Sequence, residues 1–192
     1  NGQADSAKVL LLEMSQKYPE NAMIWFELSR CTEHLGLSNP RDMEKSIEAS
    51  LSYINKANKI EEGNAKYLYY KAKFQTLEFY MNLKMGGGDE GVKLVDIEET
   101  YLQVFQLDAS YDQNKITLIE FFGGLPAEMG GDISKAEKYA QELEKEDLVL
   151  GAKAREILMP EDADYEAFWK GIIEKAPDNA DAIQALGRVY LF

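Results

Sequence analysis

The residue types best suited to covalent chemistry occur once each in this sequence. Cys31 is the only cysteine and His34 the only histidine among 192 residues, and they lie about one turn apart on a predicted helix. A cysteine nucleophile needs an activating base and a third group that orients the base. No third member accompanies the pair, so we expect a buried cysteine beside a surface histidine. A single cysteine also excludes an intrachain disulfide and a cysteine-based zinc site.

A glycine-rich stretch, Gly86-Gly87-Gly88-Asp89-Glu90-Gly91-Val92-Lys93, resembles a phosphate-binding loop in composition only. Val92 stands where that loop requires lysine, no serine or threonine follows, and two carboxylates would face the phosphate. The sequence Met129-Gly130-Gly131-Asp132 repeats the pattern. Both stretches are predicted to end one helix with glycine and to begin the next with a capping aspartate.

Alternating carboxylates at Asp162, Asp164 and Glu166 have the spacing of a calcium loop. Ala167 occupies the position that needs glycine for the sharp turn, and Ile173 the position of the last carboxylate ligand. Acidic residues are favoured at the start of a helix by its dipole, and we expect that role here. The sequence therefore predicts no metal, no cofactor and no enzymatic activity.

Aromatic residues are concentrated in one long predicted helix. They occupy more faces than a single buried stripe uses, so some should line a groove, where tyrosine offers apolar area and a hydroxyl. The residues are Tyr67, Tyr69, Tyr70, Phe74, Phe79 and Tyr80.

The chain is acidic, with 34 Asp and Glu against 21 Lys and Arg and a formal net charge of −13. Such a chain repels nucleic acids and anionic membranes on average, and no basic patch beside aromatics offsets the repulsion. No apolar run approaches the roughly 20 residues of a membrane span. Because the sequence begins at Asn1 rather than Met, we expect a fragment or a processed product. Removal of an export signal would fit, while the compartment stays open.

The elements that must position these residues are helices. Apolar residues recur at helical spacing and are interrupted by Gly, Pro and Asn, which predicts an all-α chain of about ten helices. The predicted helices are about Ala4–Lys17, Ala22–Leu35, Pro40–Asn58, from after Gly63-Asn64 to Met85, Val92–Phe105, from after the Asp108-Ala109-Ser110 turn to Phe122, Ile133–Lys145, Leu148–Leu158, Asp164–Ala176 and Ala180–Leu191.

Two stretches of the sequence align without gaps. Pro19-Glu20-Asn21-Ala22 is followed by Trp25, Leu28 and Ser29, and Pro177-Asp178-Asn179-Ala180 by Ile183, Leu186, Gly187 and Tyr190. Asn64-Ala65 and Ser110-Tyr111-Asp112 begin fainter copies, and the partner helices carry Ala49 with Tyr53, Ala136 with Ala140, and Trp169 with Ile172.

This pattern resembles the tetratricopeptide repeat, whose first helix carries W-x2-L-G-x2-Y. The resemblance implies a single domain over residues 1–192, in which four to five degenerate repeats of antiparallel helix pairs stack as a right-handed solenoid. The stretch from Leu125 to Asp132, followed by Lys135-Ala136, also resembles turns in exported bacterial tetratricopeptide proteins such as the T components of tripartite transporters.

The same resemblance implies that the first helix of each pair lines a concave groove. Lys66 and Lys73 would then join aromatic residues there, and the lysine and asparagine clamp of the family is not reproduced, because Phe26 and Tyr70 stand at two of its positions. We expect a non-enzymatic scaffold that binds a protein or peptide segment. The predicted groove residues are Phe26, Arg30, Lys66, Tyr69, Tyr70, Lys73 and Arg188.

Two alternatives stay open. Aromatic helices and the insertions at Gly86–Gly88 and Gly123–Gly131 could enclose an apolar pocket, as in a small-ligand carrier or a transporter-associated binding protein. The chain could instead be an assembly module that self-associates through its last helix, which presents apolar residues with no following helix to cover them. Those residues are Ile183, Leu186, Tyr190, Leu191 and Phe192.

Overall fold

The computed structural model describes residues 2–39, 41–84 and 92–191. This part of the chain is all-helical, and no β-strand occurs within it. Its ten α-helices are α1 (Gly2–Lys17), α2 (Ala22–Leu37), α3 (Met43–Ile60), α4 (Ala65–Lys84), α5 (Leu94–Leu107), α6 (Lys115–Gly124), α7 (Ile133–Glu146), α8 (Leu148–Leu158), α9 (Tyr165–Lys175) and α10 (Ala180–Leu191). Short 3₁₀ helices cover Ala109–Asn114 and Ala127–Met129.

The prediction of an all-α chain with about ten helices is confirmed, and each predicted helix has a counterpart. The largest differences lie at helix starts: α3 begins at Met43 rather than Pro40, and a 3₁₀ turn precedes α6. Pro40 and the Gly86–Gly88 insertion lie outside the described residues.

Two compact units make up the chain, Asn1–Ala109 with α1 to α5 and Ser110–Phe192 with α6 to α10. In each unit every helix packs against the next one in sequence. The expectation of one repeat domain over 1–192 stays a prediction.

In the first unit, side-chain contacts show that α2 and α3 run in opposite directions. Trp25, early in α2, stacks on Tyr53, late in α3, with ring centroids 6.0 Å apart. Gly36, late in α2, lies so close to Ser46 that an added Cβ would be 2.3 Å from the serine Cβ. The absence of a side chain at Gly36 is what allows this approach of the two helices.

The core of the first unit lies between α2, α3 and α4. Its buried members are Ala22, Phe26, Ile54, Ala57, Tyr67 and Phe74. Burying one large apolar side chain of this kind stabilises a fold by about 1.5–3 kcal/mol. The core therefore fixes how α2 and α4 are rotated toward each other, and α2 and α4 position the candidate site.

The second unit combines an apolar core with a buried cation. Trp169 is fully buried, and Val149, Ala152, Ala182 and Ala185 complete the core cluster. Lys115 begins α6, and its ammonium lies 3.3 Å from Asp112 in the preceding 3₁₀ helix. It also lies 3.2 Å from Glu142 and 3.4 Å from Glu146, near the end of α7.

Asparagine residues cap three helices at equivalent positions of the Asn-Ala pattern found in the sequence. The Asn21 side chain accepts a hydrogen bond from the Met23 N–H, Asn64 accepts one from the Tyr67 N–H, and Asn179 accepts two from the first turn of α10. Each bond satisfies an N–H that the helix itself leaves unpaired. The three Asn-Ala pairs thus begin α2, α4 and α10 in the same way.

The insertion from Gly123 to Gly131 contains the last residues of α6 and then a tight turn. The Asp132 N–H donates to the Phe122 carbonyl over 2.9 Å, and the Asp132 side chain caps α7. Gly130 has φ of +93°, and a Cβ on Gly131 would lie 1.7 Å from the Leu125 carbonyl oxygen. Glycine is required at both positions, which supports the structural interpretation of this motif.

Candidate functional site

Six of the seven predicted groove residues lie together on α2 and α4 in the first unit. Their side chains meet where the two helices face each other, and the seventh residue, Arg188, belongs to the second unit, where its guanidinium lies 3.6 Å from Glu156. We use the name α2–α4 surface for the group formed by Arg30, Lys66, Tyr69, Tyr70 and Lys73.

Phe26 is the base of this surface. Its side chain has no exposed area, and its ring centroid lies 5.0 Å from those of both Tyr67 and Tyr70. The Tyr70 ring stands at 88° to it, which is the edge-to-face arrangement that aromatic quadrupoles favour. The sequence predicts that Phe26 lines a groove, whereas the structure buries it in the core.

Three cations cover these rings. The Lys66 ammonium lies 4.6 Å from the Phe26 centroid, and the Arg30 guanidinium lies 5.5 Å from Phe26 and 5.7 Å from Tyr70. The Lys73 ammonium lies 5.5 Å from Tyr70. Each distance is within the range of a cation–π contact. A ligand on this surface would therefore meet positive charge backed by aromatic faces, with Phe26 beneath.

The carboxylates nearby hold two of the three cations in place. Arg30 pairs with Glu27 at 3.1 Å on the exposed side of α2. Lys73 on α4 pairs at 2.7 Å with Glu33, a carboxylate that is only 8% exposed. Lys66 has no carboxylate within 4.0 Å among the residues that the structure describes, so its charge is uncommitted there.

Arg30 keeps its positive charge at this surface. Partial burial lowers its pKa, but the charges and hydrogen bonds of Glu27 and Tyr70 outweigh burial and raise the pKa above its ordinary value.

The contacts also give the relative direction of the two helices. Phe26, in the first half of α2, meets Tyr67 and Tyr70, and Glu33, further along α2, meets Lys73, further along α4. Contacts that advance together along both helices mean that α2 and α4 run in the same direction.

An open cleft of about 570 Å³ adjoins the start of this surface. It lies between the α1–α2 turn and the α3–α4 turn, and Tyr67 belongs both to its wall and to the rings around Phe26. Burial, and then the charges of Glu61 and Glu27, raise the pKa of Tyr67 above its ordinary value. The nine lining residues are Tyr18, Pro19, Glu20, Asn21, Ala22, Met23, Ile60, Glu61 and Tyr67.

Sequence reasoning missed the role of Glu33. It follows Phe26 by seven residues and Ser29 by four, so helical periodicity places it on the core side of α2. A charged residue at a core position needs a partner, and that signal could have pointed to a cation on a neighbouring helix.

The candidates for covalent or metal chemistry have structural roles. The half-buried Cys31 thiol donates to the Ala4 carbonyl over 3.2 Å, and burial raises its pKa, so the reactive thiolate is disfavoured. Asp164 caps α9 through the Ala167 N–H, and Glu166 pairs with Lys170. No cluster of three or more metal-ligating side chains occurs in the described ranges. The glycines at 86–91 lie outside them.

No protein-family model, curated protein or solved structure matches the chain. Within the described residues, none of the helices combines the length and apolar character needed to cross a membrane.

Proposed function

We propose that this chain is a non-enzymatic helical scaffold that binds a protein or peptide segment through the α2–α4 surface. The observation that carries the proposal is the set of three cations held over aromatic rings where two helices meet. Arg and Tyr are enriched among the residues that dominate binding energy at protein interfaces. Because Tyr69 and Tyr70 are half-buried and held by neighbouring rings, they lose little conformational entropy when a partner binds.

We infer further that the helices form degenerate tetratricopeptide-like repeats in a right-handed solenoid. Three features support this arrangement: α2 and α3 are antiparallel, α2 and α4 run in the same direction, and Asn caps recur at Asn21, Asn64 and Asn179. In such a stack α2 and α4 are the first helices of neighbouring pairs, and the surface between them is the concave one.

The experiment is selection from a random twelve-residue peptide display library with the full chain as bait. Peptides retained by the wild type should be lost on the Arg30→Ala/Tyr70→Ala variant. The matched control is Lys138→Ala, which removes a comparable cation 5.7 Å from the Tyr139 ring. Circular dichroism and urea unfolding verify that each variant is folded. Peptides retained equally by all three proteins would mean that the α2–α4 surface is not the binding site.

The cleft beside Tyr67 is open to solvent, so the proposal favours an extended segment over an enclosed small ligand. If the chain were a small-ligand carrier, ligand binding would be weakened by substituting the cleft-lining side chains and not by substituting Arg30.

Assembly through the last helix is a second candidate function, and exposed apolar area on α10 favours it. Leu191 is 76% exposed and Tyr190 58% exposed, while Phe192 lies outside the described residues. We expect light scattering at micromolar concentration to give a mass above 21.8 kDa, and Leu191→Ser to restore the monomer. A monomeric wild type at that concentration would exclude obligate assembly.

A further inference from the structure

We infer that the bound segment is acidic and that it places one apolar side chain in the cleft beside Tyr67. This inference rests on the proposed function and specifies the chemistry of the partner. Three observations carry it: the composition of the cleft, the uncommitted charge of Lys66 and the distance along α4 from Lys66 to Lys73.

The cleft provides the apolar part of the recognition. Six of its nine lining residues are apolar or aromatic, and two of them, Tyr18 and Met23, are about half exposed. Its volume of about 570 Å³ accommodates a single large side chain with the adjoining backbone. Tyr67 and Lys66 both contact the Phe26 ring, at 5.0 Å between ring centroids and 4.6 Å from ammonium to centroid, so a side chain seated beside Tyr67 lies close to Lys66.

The cations provide the charged part. Lys66 has no carboxylate partner among the described residues, so a carboxylate from the segment would not have to displace one. Arg30 pairs with Glu27 at a largely exposed site, where an ion pair contributes little to stability and exchanges readily. The net charge of −13 opposes the approach of an acidic segment at long range, so its recognition depends on short-range contacts with these cations.

The spacing of the cations sets the spacing of the carboxylates. Lys66 and Lys73 are seven residues apart on one helix, which is about 10 Å along its axis. A segment in the extended polyproline II conformation has three residues per turn and advances about 3.1 Å per residue, so carboxylates three residues apart lie on one side and reach both lysines. The order is also determined, because Glu20 and Glu61 line the cleft and repel acidic residues there. The apolar residue therefore lies at the cleft and the carboxylates extend toward Lys73.

The selection described above tests this chemistry when the retained peptides are sequenced. We expect peptides with one large apolar residue and two Asp or Glu residues about three positions apart. A pool of neutral or basic peptides that still depends on Arg30 and Tyr70 would overturn the inference and leave the proposed function standing. A pool that binds independently of these two residues would overturn both.

Synthetic peptides give the quantitative form of the test. Fluorescence anisotropy with the most frequent selected peptide should show about tenfold weaker binding after Glu→Gln replacement in the peptide, and a similar loss when its apolar residue becomes Gly. The Lys66→Gln variant of the protein should bind the acidic peptide several-fold more weakly than the wild type does. Its affinity for the Glu→Gln peptide should be unchanged. The control Lys59→Gln removes an exposed lysine from α3 and should have no effect. Equal affinity of the Glu and Gln peptides would refute the acidic requirement.

Discussion

The ion pair between Lys73 and Glu33 joins α4 to α2, and its strength can be measured. The two groups are 2.7 Å apart, with the Glu33 side chain 8% and the Lys73 side chain 40% exposed. Removing one partner of a fully buried pair costs about 3–5 kcal/mol, whereas an exposed pair contributes about 0–1 kcal/mol. Because only Glu33 is buried, we expect a coupling free energy of about 1–2 kcal/mol between the two side chains.

A double-mutant cycle provides this number. Lys73→Met leaves the Glu33 carboxylate without its cation and should lower the free energy of unfolding by about 1–2 kcal/mol. Glu33→Gln should cost less, because the freed lysine can extend into water. Adding Glu33→Gln to Lys73→Met should recover most of the loss, since the lone buried charge is then gone.

The two tryptophans make the assay specific for the first unit. Trp25 lies in α2 and Trp169 in α9, so in a Trp169→Phe background the fluorescence of Trp25 alone reports urea unfolding. Because Trp169→Phe is present in all four proteins of the cycle, its effect on the free energy of unfolding cancels from the coupling. The matched control is the exposed Glu27–Arg30 pair on α2, for which we expect a coupling of about 0–0.5 kcal/mol. A Glu33–Lys73 coupling as small as the control value would refute the contact between the helices.

Three further predictions concern other parts of the chain. Gly131→Ala should lower the free energy of unfolding in a urea titration by about 2 kcal/mol or more, because its Cβ would meet the Leu125 carbonyl. Gly124→Ala at the end of α6 is the control, because a Cβ added there has nothing within 4 Å, and its free energy of unfolding should be unchanged or slightly higher. Equal losses of stability in the two variants would contradict the tight turn.

Hydrogen bonds from Ser134 and Lys135 lower the pKa of Asp132 in the fold, so its stabilising effect is present above the ordinary value of 3.8 and is lost as pH falls through the lowered value. Thermal melts should therefore show Asp132→Ala less stable than wild type at neutral pH and by a smaller margin in acid, and a difference that persists unchanged in acid would contradict the cap. Alkylation of the full chain at pH 8 should be slower at Cys31 than for glutathione, because burial raises its pKa; a faster reaction would refute the assignment of an inert thiol.

The sequence predicts the helices well because their ends are encoded locally. Asn21, Asn64 and Asn179 cap helices through the residues two or three positions further on, and Gly130 supplies the left-handed backbone conformation that only glycine adopts freely. No distant contact is needed to recognise these signals. Local pattern therefore accounts for the all-α class and the number of helices.

The candidate site was only partly predictable, because it depends on how helices are rotated against each other. Helical spacing identifies the face that holds Tyr70 and Lys73, but it does not show that Phe26 lies beneath its neighbours or that Glu33 reaches across to α4. Gly187 shows the same limit: a glycine inside a helix can allow a neighbouring helix to approach closely, but nothing lies within 4 Å of a Cβ added at this position. Packing between elements far apart in sequence decides each of these outcomes.

The most direct test of the binding account is amide chemical-shift mapping of the ¹⁵N-labelled full chain with the most frequent selected peptide. We predict that the largest shifts occur in residues 23–34 and 64–74, which contain the cations and rings of the α2–α4 surface. The Arg30→Ala/Tyr70→Ala variant should show none of these shifts. Shifts centred on α10, or of equal size in the wild type and the variant, would contradict the account.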